Sequence, residues 1–285
     1  MQRITTVVAW RAFANEQRRL GRRVALVPTM GALHEGHASL FREAKESADV
    51  VLATLFINAR QFNDDADLRA YPRTPERDVE IAESNGVDCL IEPTLNEMWP
   101  DFPSRTPTVV SVRGLGDSLE GEGRPGHFEG VASVVAKLLT VTGPCRAYFG
   151  EKDFQQLAVV RQMVRDLSFD VDVVGCEIVR DHDGLALSSR NARLSDLARA
   201  RALALSRAVR AAAATPAPAS VLRALLNDVM TQVDLDVAYA EIVDPLTLIR
   251  SRDDEVGTAR AMVAAVVDGV RLIDNSSVTL VKEEH

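Results

Sequence analysis

In the first half of the chain, short apolar runs rich in β-branched residues alternate with stretches of helical periodicity. That alternation restricts the fold more than any other feature of the sequence. The runs Val24–Pro28, Val50–Ile57, Cys89–Glu92, Thr108–Val112, Ala147–Phe149 and Val171–Gly175 read as strands. Between them, Ala38–Ala48, Pro75–Asn85, Phe128–Val141 and Phe154–Leu167 read as helices. In the last, Leu157, Val160, Val164 and Leu167 recur at three and four, a stripe suited to packing on a sheet. The pattern predicts an α/β fold with right-handed crossovers and a mostly parallel sheet. Ligands of such sheets bind at the carboxyl ends of the strands.

The character changes after about residue 178. Ser195–Ala214 is Ala-rich and helical, with Ser195 as N-cap, and TPAPAS at 215–220 ends it before a second helix to about Val233. Val237–Val243, Ala259–Val267 and Val270–Ile273 follow as strands, with Asp268-Gly269 as a type I′ hairpin turn. Residues 1–178 are therefore expected to form one domain and 179–285 a smaller α+β domain.

Composition narrows the class. The 285 residues carry a formal net charge of −8, which argues against a nonspecific nucleic-acid binder. A local anion pocket remains compatible with that charge. No apolar run reaches the length of a membrane span, and the first residues lack a signal-peptide pattern, so the cytoplasm is the expected compartment. The three cysteines, Cys89, Cys145 and Cys176, are widely spaced and read as reduced thiols.

Several polar segments fall at strand ends. PTMGALHEGH, residues 28–37, joins a strand to a helix through Gly31 and carries His34 and His37. A helix N-terminus offers unpaired N–H groups to a phosphate, and imidazoles at i and i+3 share one side of its first turn. The i,i+3 spacing differs from the i,i+4 of an HExxH zinc site. A pair of surface histidines in a helix cap is the plainer alternative. FGEKDFQQL, 149–157, places Lys152 at another strand end, with Gln155 and Gln156 behind it; a charged helix start capped by Asp153 is its alternative. Ser188-Ser189-Arg190-Asn191 forms a donor-rich loop suited to a polyphosphate, or an interdomain turn. A further strand ends in Asn58, with Gln61 three residues later so that both amides can line one crevice, and Arg124 and His127 precede a helix. Gly121–Gly126 has Walker spacing without the Lys-Ser/Thr, and no dinucleotide fingerprint is present. Together these groups suggest positioning and charge stabilisation around a nucleoside triphosphate.

PTMGALHEGH, YPRT at 71–74, RPGHFEGV at 124–131, FGEKDFQQL at 149–157 and DGLALSSRN at 183–191 closely resemble the pantoate–β-alanine ligases. The likeness continues to RLIDN at 271–275 and so spans nearly the whole chain. It implies a Rossmann-like nucleotidyltransferase domain of the HIGH type, a C-terminal domain that closes over ATP, and a homodimer. It implies ATP and Mg²⁺ as reactants, a pantoyl-adenylate, and its capture by β-alanine. By resemblance, His34, His37, Lys152, Ser188 and Arg190 are catalytic. Met30, Gly150, Asp153, Val179, Leu187 and Ser189 join them around ATP, and Met30, Asn58, Gln61 and Gln156 hold pantoate. Asp78 is the candidate metal ligand. The chain departs from the family pattern at Ala59, where Pro is usual, at Leu187 for Met, and at Ser133 for Thr. A related nucleotidyltransferase with another acceptor, or a nucleotide-binding regulator on the same scaffold, are the competing readings.

Overall fold

Val24 to Val27, Val51 to Ala53 and Leu90 to Ile91 are withdrawn from solvent on both faces of their strands. Only a sheet covered by helices on each side accommodates that. The computed structural model describes residues 1–105 and 107–282. The last three positions of the expected 179–285 unit therefore lie outside the described residues. The first part of the chain runs β1 (Gln2–Ile4), α1 (Val7–Arg19), β2 (Val24–Thr29), α2 (Glu35–Ser47), β3 (Val50–Leu55), α3 (Asp65–Ala70), α4 (Pro75–Ser84) and β4 (Cys89–Ile91). It continues with α5 (Leu95–Met98), α6 (Glu120–Gly123), α7 (His127–Thr142), β5 (Cys145–Gly150), α8 (Phe154–Asp166) and β6 (Val171–Cys176).

These strands form one parallel sheet in the order β1-β4-β3-β2-β5-β6. The period-2 alternation of β2 divides the core: Val24 and Leu26 pack with Trp10 of α1 and with α7 and α8, and Ala25 and Val27 pack with Leu40, Phe41 and Ala44 of α2. Helix α7 is apolar around most of its circumference and is correspondingly buried. From β2 the chain steps outward to β3 and β4, and β5 and β6 then lie on the other side. The reversal between β2 and β5 opens a crevice at their carboxyl ends.

The remainder is α9 (Asp196–Ala213), α10 (Ala219–Thr231), β7 (Asp236–Val243), β8 (Gly257–Val267) and β9 (Val270–Leu280). The three strands form an antiparallel sheet against which α9 and α10 bury their apolar sides. Asp268 and Gly269 both have positive φ, as the expected type I′ turn requires. The α/β class with a smaller α+β part is thus observed.

One expectation needs correction, and one stretch carries elements that were not anticipated. Thr108–Val112 is no strand: it runs outside both sheets, with the Val110 N–H donated to the Ser133 hydroxyl and the Thr108 carbonyl accepting from Arg60. Its β-branched pattern is that of a strand, yet β1 and β6 are the edges of the parallel sheet and this segment borders neither. The N-terminal residues, read only for the absence of a leader, form β1 and α1, with Thr6 capping α1 and Trp10 fully buried.

Candidate active site

The turn after β2 is built for close backbone approach. Gly31 and Ala32 both have positive φ, a conformation glycine adopts freely and alanine only under constraint. The constraint is Asp78 of α4. Its buried carboxylate accepts the N–H groups of Ala32 (3.0 Å) and Leu33 (2.7 Å) and the Thr74 hydroxyl (2.9 Å). A Cβ on Gly31 would stand 3.0 Å from the same carboxylate. Asp78, the expected metal ligand, is therefore behind the loop with both oxygens engaged, and it does not line the cleft. This corrects the sequence reading: the acid after YPRT is a tie for the loop.

At the start of α2 the two histidines cap reciprocally. His34 Nδ1 accepts the Gly36 N–H at 3.1 Å, and His37 Nδ1 accepts the His34 N–H at 3.3 Å. Each Nδ1 is thereby an acceptor, so the neutral ring carries its proton on Nε2. Burial pushes His34 down to about 4, with the Lys152 charge adding to the effect, and burial and the neighbouring His34 push His37 down to about 3. Both rings are neutral Nε2–H donors at pH 7, with centroids 4.2 Å apart.

Lys152 follows β5 in a short 3-10 turn, Glu151–Asp153. Asp153 stands at the N-cap position of α8, as the plainer reading has it, but its side chain makes no cap bond. Burial opposes ionisation of Asp153, but Lys152 and Arg190 outweigh it and hold its carboxyl below the usual range. The turn is clamped from the antiparallel sheet: Asn275 donates to the carbonyls of Glu151 (3.0 Å) and Lys152 (2.9 Å). Ser188 accepts the Arg190 N–H, and Ser189 reaches across to the Ala32 carbonyl at 3.1 Å. Arg190 pairs with Asp67 at 2.8 Å.

On the far wall, Asn58 is buried and fully bonded: it donates to Gln61 Oε1 (3.0 Å) and the Gly130 carbonyl (3.1 Å) and accepts from Trp99 Nε1 (3.0 Å). Gln61 Nε2 in turn lies 3.2 Å from the Met30 sulfur. Gly130 permits the contact, because a Cβ there would sit 2.3 Å from the Arg60 carbonyl. His127 donates from Nδ1 to the Gln61 carbonyl (2.8 Å) and accepts from Arg124 on Nε2 (3.0 Å). Burial, helped by Arg124, depresses His127 to about 3.

One cleft of about 1440 Å³, mouth included, is lined by Met30, His34, His37, Asn58, Gln61, Gly150, Lys152, Asp153, Gln156, Val179, Leu187, Ser188, Ser189 and Arg190. Every site residue expected from the sequence is thus brought together except Asp78. Arg124, His127 and Tyr71 also line it and were given no role; RPGHFEGV and YPRT held the signal. Among the described residues no three His, Cys, Asp or Glu side chains gather as a metal cage. Nor, among the described residues, is any helix long and apolar enough to cross a membrane.

A parallel sheet with a basic, histidine-bearing cleft at its switch point defines a Rossmann-like α/β enzyme that handles an anionic ligand. The comparisons with known proteins go further. The sequence model of the family described as pantoate-beta-alanine ligase matches residues 2–277. The pantothenate synthetase of Cereibacter sphaeroides is 47% identical over 281 residues, covering 95% of this chain and 98% of that one. The crystal structure of pantothenate synthetase from Thermus thermophilus superposes with a TM-score of 0.89 at 43% identity, covering 97% of this chain and 99% of that one. A pantoate-beta-alanine ligase from Francisella tularensis, complexed with beta-gamma ATP and beta-alanine, gives 0.80 at 31% identity, covering 97% of each chain. The chain belongs to the pantoate–β-alanine ligase family and is a ligase.

Proposed function

We propose that this chain joins pantoate to β-alanine through a pantoyl-adenylate, consuming ATP and releasing pyrophosphate and then AMP. The observation that carries the reading is the convergence of His34, His37, Lys152 and the Ser188–Arg190 loop on one cleft whose opposite wall presents Gln61 and Gln156. The ATP and β-alanine held by the Francisella relative support it.

A carboxylate is a poor electrophile, and adenylation gives it a good leaving group. A pantoate carboxylate oxygen attacks the α-phosphorus of ATP while the bond to the β-phosphate breaks. Negative charge builds on the phosphate oxygens, where the Nε2–H groups of His34 and His37 and the Lys152 ammonium meet it. Neutral imidazoles suit the task, since they donate without competing for a proton. Ser188, Ser189 and Arg190 hold the departing pyrophosphate. For that the Arg190 guanidinium exchanges Asp67 for phosphate oxygens as the 179–285 unit closes. The neutral amine of β-alanine then attacks the acyl carbon, AMP leaves, and the amine proton passes to solvent. Proximity supplies this step, and no side chain is assigned as its base.

Mg²⁺ is compatible with the site in one form. Hard cations keep much of their coordination on phosphates and water. Asp153 is the ionised acid beside Lys152, and it would hold a cation carried in on the nucleotide. Such a cation neutralises phosphate oxygens.

A homodimer is supported by Thr108–Val112, an extended stretch outside both sheets that leaves Val109 exposed. Sedimentation giving twice the chain mass, reverting to one on Val110→Pro, tests that. The three cysteines are free, with Cys89 and Cys145 pushed up to about 12 by burial, which supports the cytoplasm as the site of the reaction. The test of the function itself is chemical: pantoate, β-alanine and ATP should give pantothenate and AMP in equal amounts. AMP release with another acceptor in place of β-alanine, and none with β-alanine, would point to a different transferase.

A further inference from the structure

A chain of three hydrogen bonds crosses the wall of the cleft, and its direction is set at the end farthest from the substrate. The Trp99 indole N–H donates to Asn58 Oδ1 at 3.0 Å, Asn58 Nδ2 donates to Gln61 Oε1 at 3.0 Å, and Gln61 Nε2 faces Met30 and the cleft. An amide can be turned end for end, but an indole nitrogen only donates. Trp99 therefore forces the oxygen of Asn58 to itself and the amino group to Gln61. Gln61 must then show its oxygen to Asn58 and its amino group to the ligand. The Gly130 carbonyl, which accepts the other Asn58 proton at 3.1 Å, reinforces that sense.

We propose that Trp99 is a positioning residue that fixes the polarity of Gln61, so that the cleft offers an N–H donor to the carboxylate substrate. The proposal rests on the reading of that substrate as pantoate. Without the indole proton, only the Gly130 carbonyl still opposes inversion of the Asn58 and Gln61 amides, so the inverted form gains population. In the inverted form the Gln61 oxygen faces a carboxylate, and like dipoles repel. Trp99 does not line the cleft and so acts only through Asn58. The Arg60 guanidinium lies over its ring, 4.3 Å from the centroid, as does the Lys137 ammonium at 5.1 Å. These cations fix the ring face without using its N–H. Trp99→Phe keeps an aromatic face for these cations while deleting the N–H together with part of the ring, so the double variant and the wild-type titration below separate the relay from packing.

The test is steady-state pyrophosphate exchange on the full chain. Wild-type exchange that depends on pantoate is measured first, and its absence overturns the functional reading itself. Given that exchange, Trp99→Phe is expected to raise the pantoate KM by about 5- to 20-fold, part of the value of one hydrogen bond to a charged group, since Gly130 still biases Asn58. The ATP KM should stay within about twofold, because His34, His37 and Lys152 are untouched by this relay. In a Gln61→Ala background the same change should add less than about twofold, since the two act as one unit. An unchanged pantoate KM in Trp99→Phe, or an equal rise in both backgrounds, overturns the relay and leaves the function standing. A measurement on the wild type guards against a variant that fails to fold. The chain has two tryptophans, and only Trp99 is wired to the cleft. Its indole ¹⁵N–H resonance should move on titration with pantoate while that of Trp10 stays still; a static Trp99 signal contradicts the relay.

Discussion

His37 Nδ1 accepts the backbone N–H of His34, and His34 Nδ1 accepts that of Gly36, so each imidazole is consumed at one nitrogen by the helix it begins. The other nitrogen of each must carry the proton, and it is the one available to a phosphate. Structure and chemistry can thus be shared within one side chain: the acceptor half caps the backbone and leaves the donor half for a partner.

This arrangement has a titration signature. With folded values of about 4, 3 and 3 against an ordinary 6.5, His34, His37 and His127 should stay neutral between pH 5 and 8. Carbon-bound ring proton shifts followed by NMR should show no inflection for these three; a midpoint near 6.5 for either cleft histidine would contradict the cap assignment. Buried His127 makes the sign explicit. Below pH 6.5 the unfolded chain binds a proton that the folded chain refuses, so stability falls as pH drops from 6.5 toward 3. His127→Asn should flatten urea-derived stability over that window by about 1.4 kcal/mol per pH unit.

Removing a donor to the developing charge should slow adenylation without abolishing binding. His37→Ala and Lys152→Ala are each expected to lower pantoate-dependent exchange by about 10²-fold or more. Near-wild-type exchange in either variant would remove that residue from the chemistry.

Asp78, expected from the sequence as a metal ligand, ties the 31–33 loop instead. One oxygen holds the Ala32 N–H and the other the Leu33 N–H, so Asp78→Asn sets an amide donor against one of them. The expected cost is about 1–3 kcal/mol of stability, together with a raised ATP KM. The Mg²⁺ concentration for half-maximal activity should not change. A selective weakening of Mg²⁺ dependence at normal stability would restore Asp78 as a metal ligand.

The lost proline offers a gain. Ala59 opens the 3-10 turn Ala59–Gln61, and Asn58 before it is in the extended region that a following proline requires. Ala59→Pro should stabilise the chain by about 0.4–1 kcal/mol through the unfolded state and leave the pantoate KM unchanged. Thermal unfolding and exchange kinetics check both parts; a raised KM would mean that the turn needs the freedom alanine gives it.

Much of this was legible in the sequence. The 3.6-residue and 2-residue periods marked the helices and strands that pack on the parallel sheet, and strand ends located the cleft because parallel sheets bind ligands there. Periodicity could not say which apolar segment finds a partner, so Thr108–Val112 read as a strand that it is not. The first nineteen residues carried signals that went unused: Thr6 ahead of Val7, then Trp10, Ala14 and Gln17 at helical spacing. Within the site, residue type showed which groups could meet a phosphate. Orientation was invisible, because it depends on contacts distant in sequence. Asp78 against the 31–33 loop, Asp67 against Arg190 and Trp99 against Asn58 are all of that kind.

The central claim is that this cleft activates pantoate as an adenylate before any amine is present. Isotope exchange from pyrophosphate into ATP, with and without pantoate and with β-alanine omitted, tests it most directly. The account predicts exchange that requires pantoate. A chain that binds ATP yet shows no exchange with pantoate, or exchanges equally without it, would contradict the account.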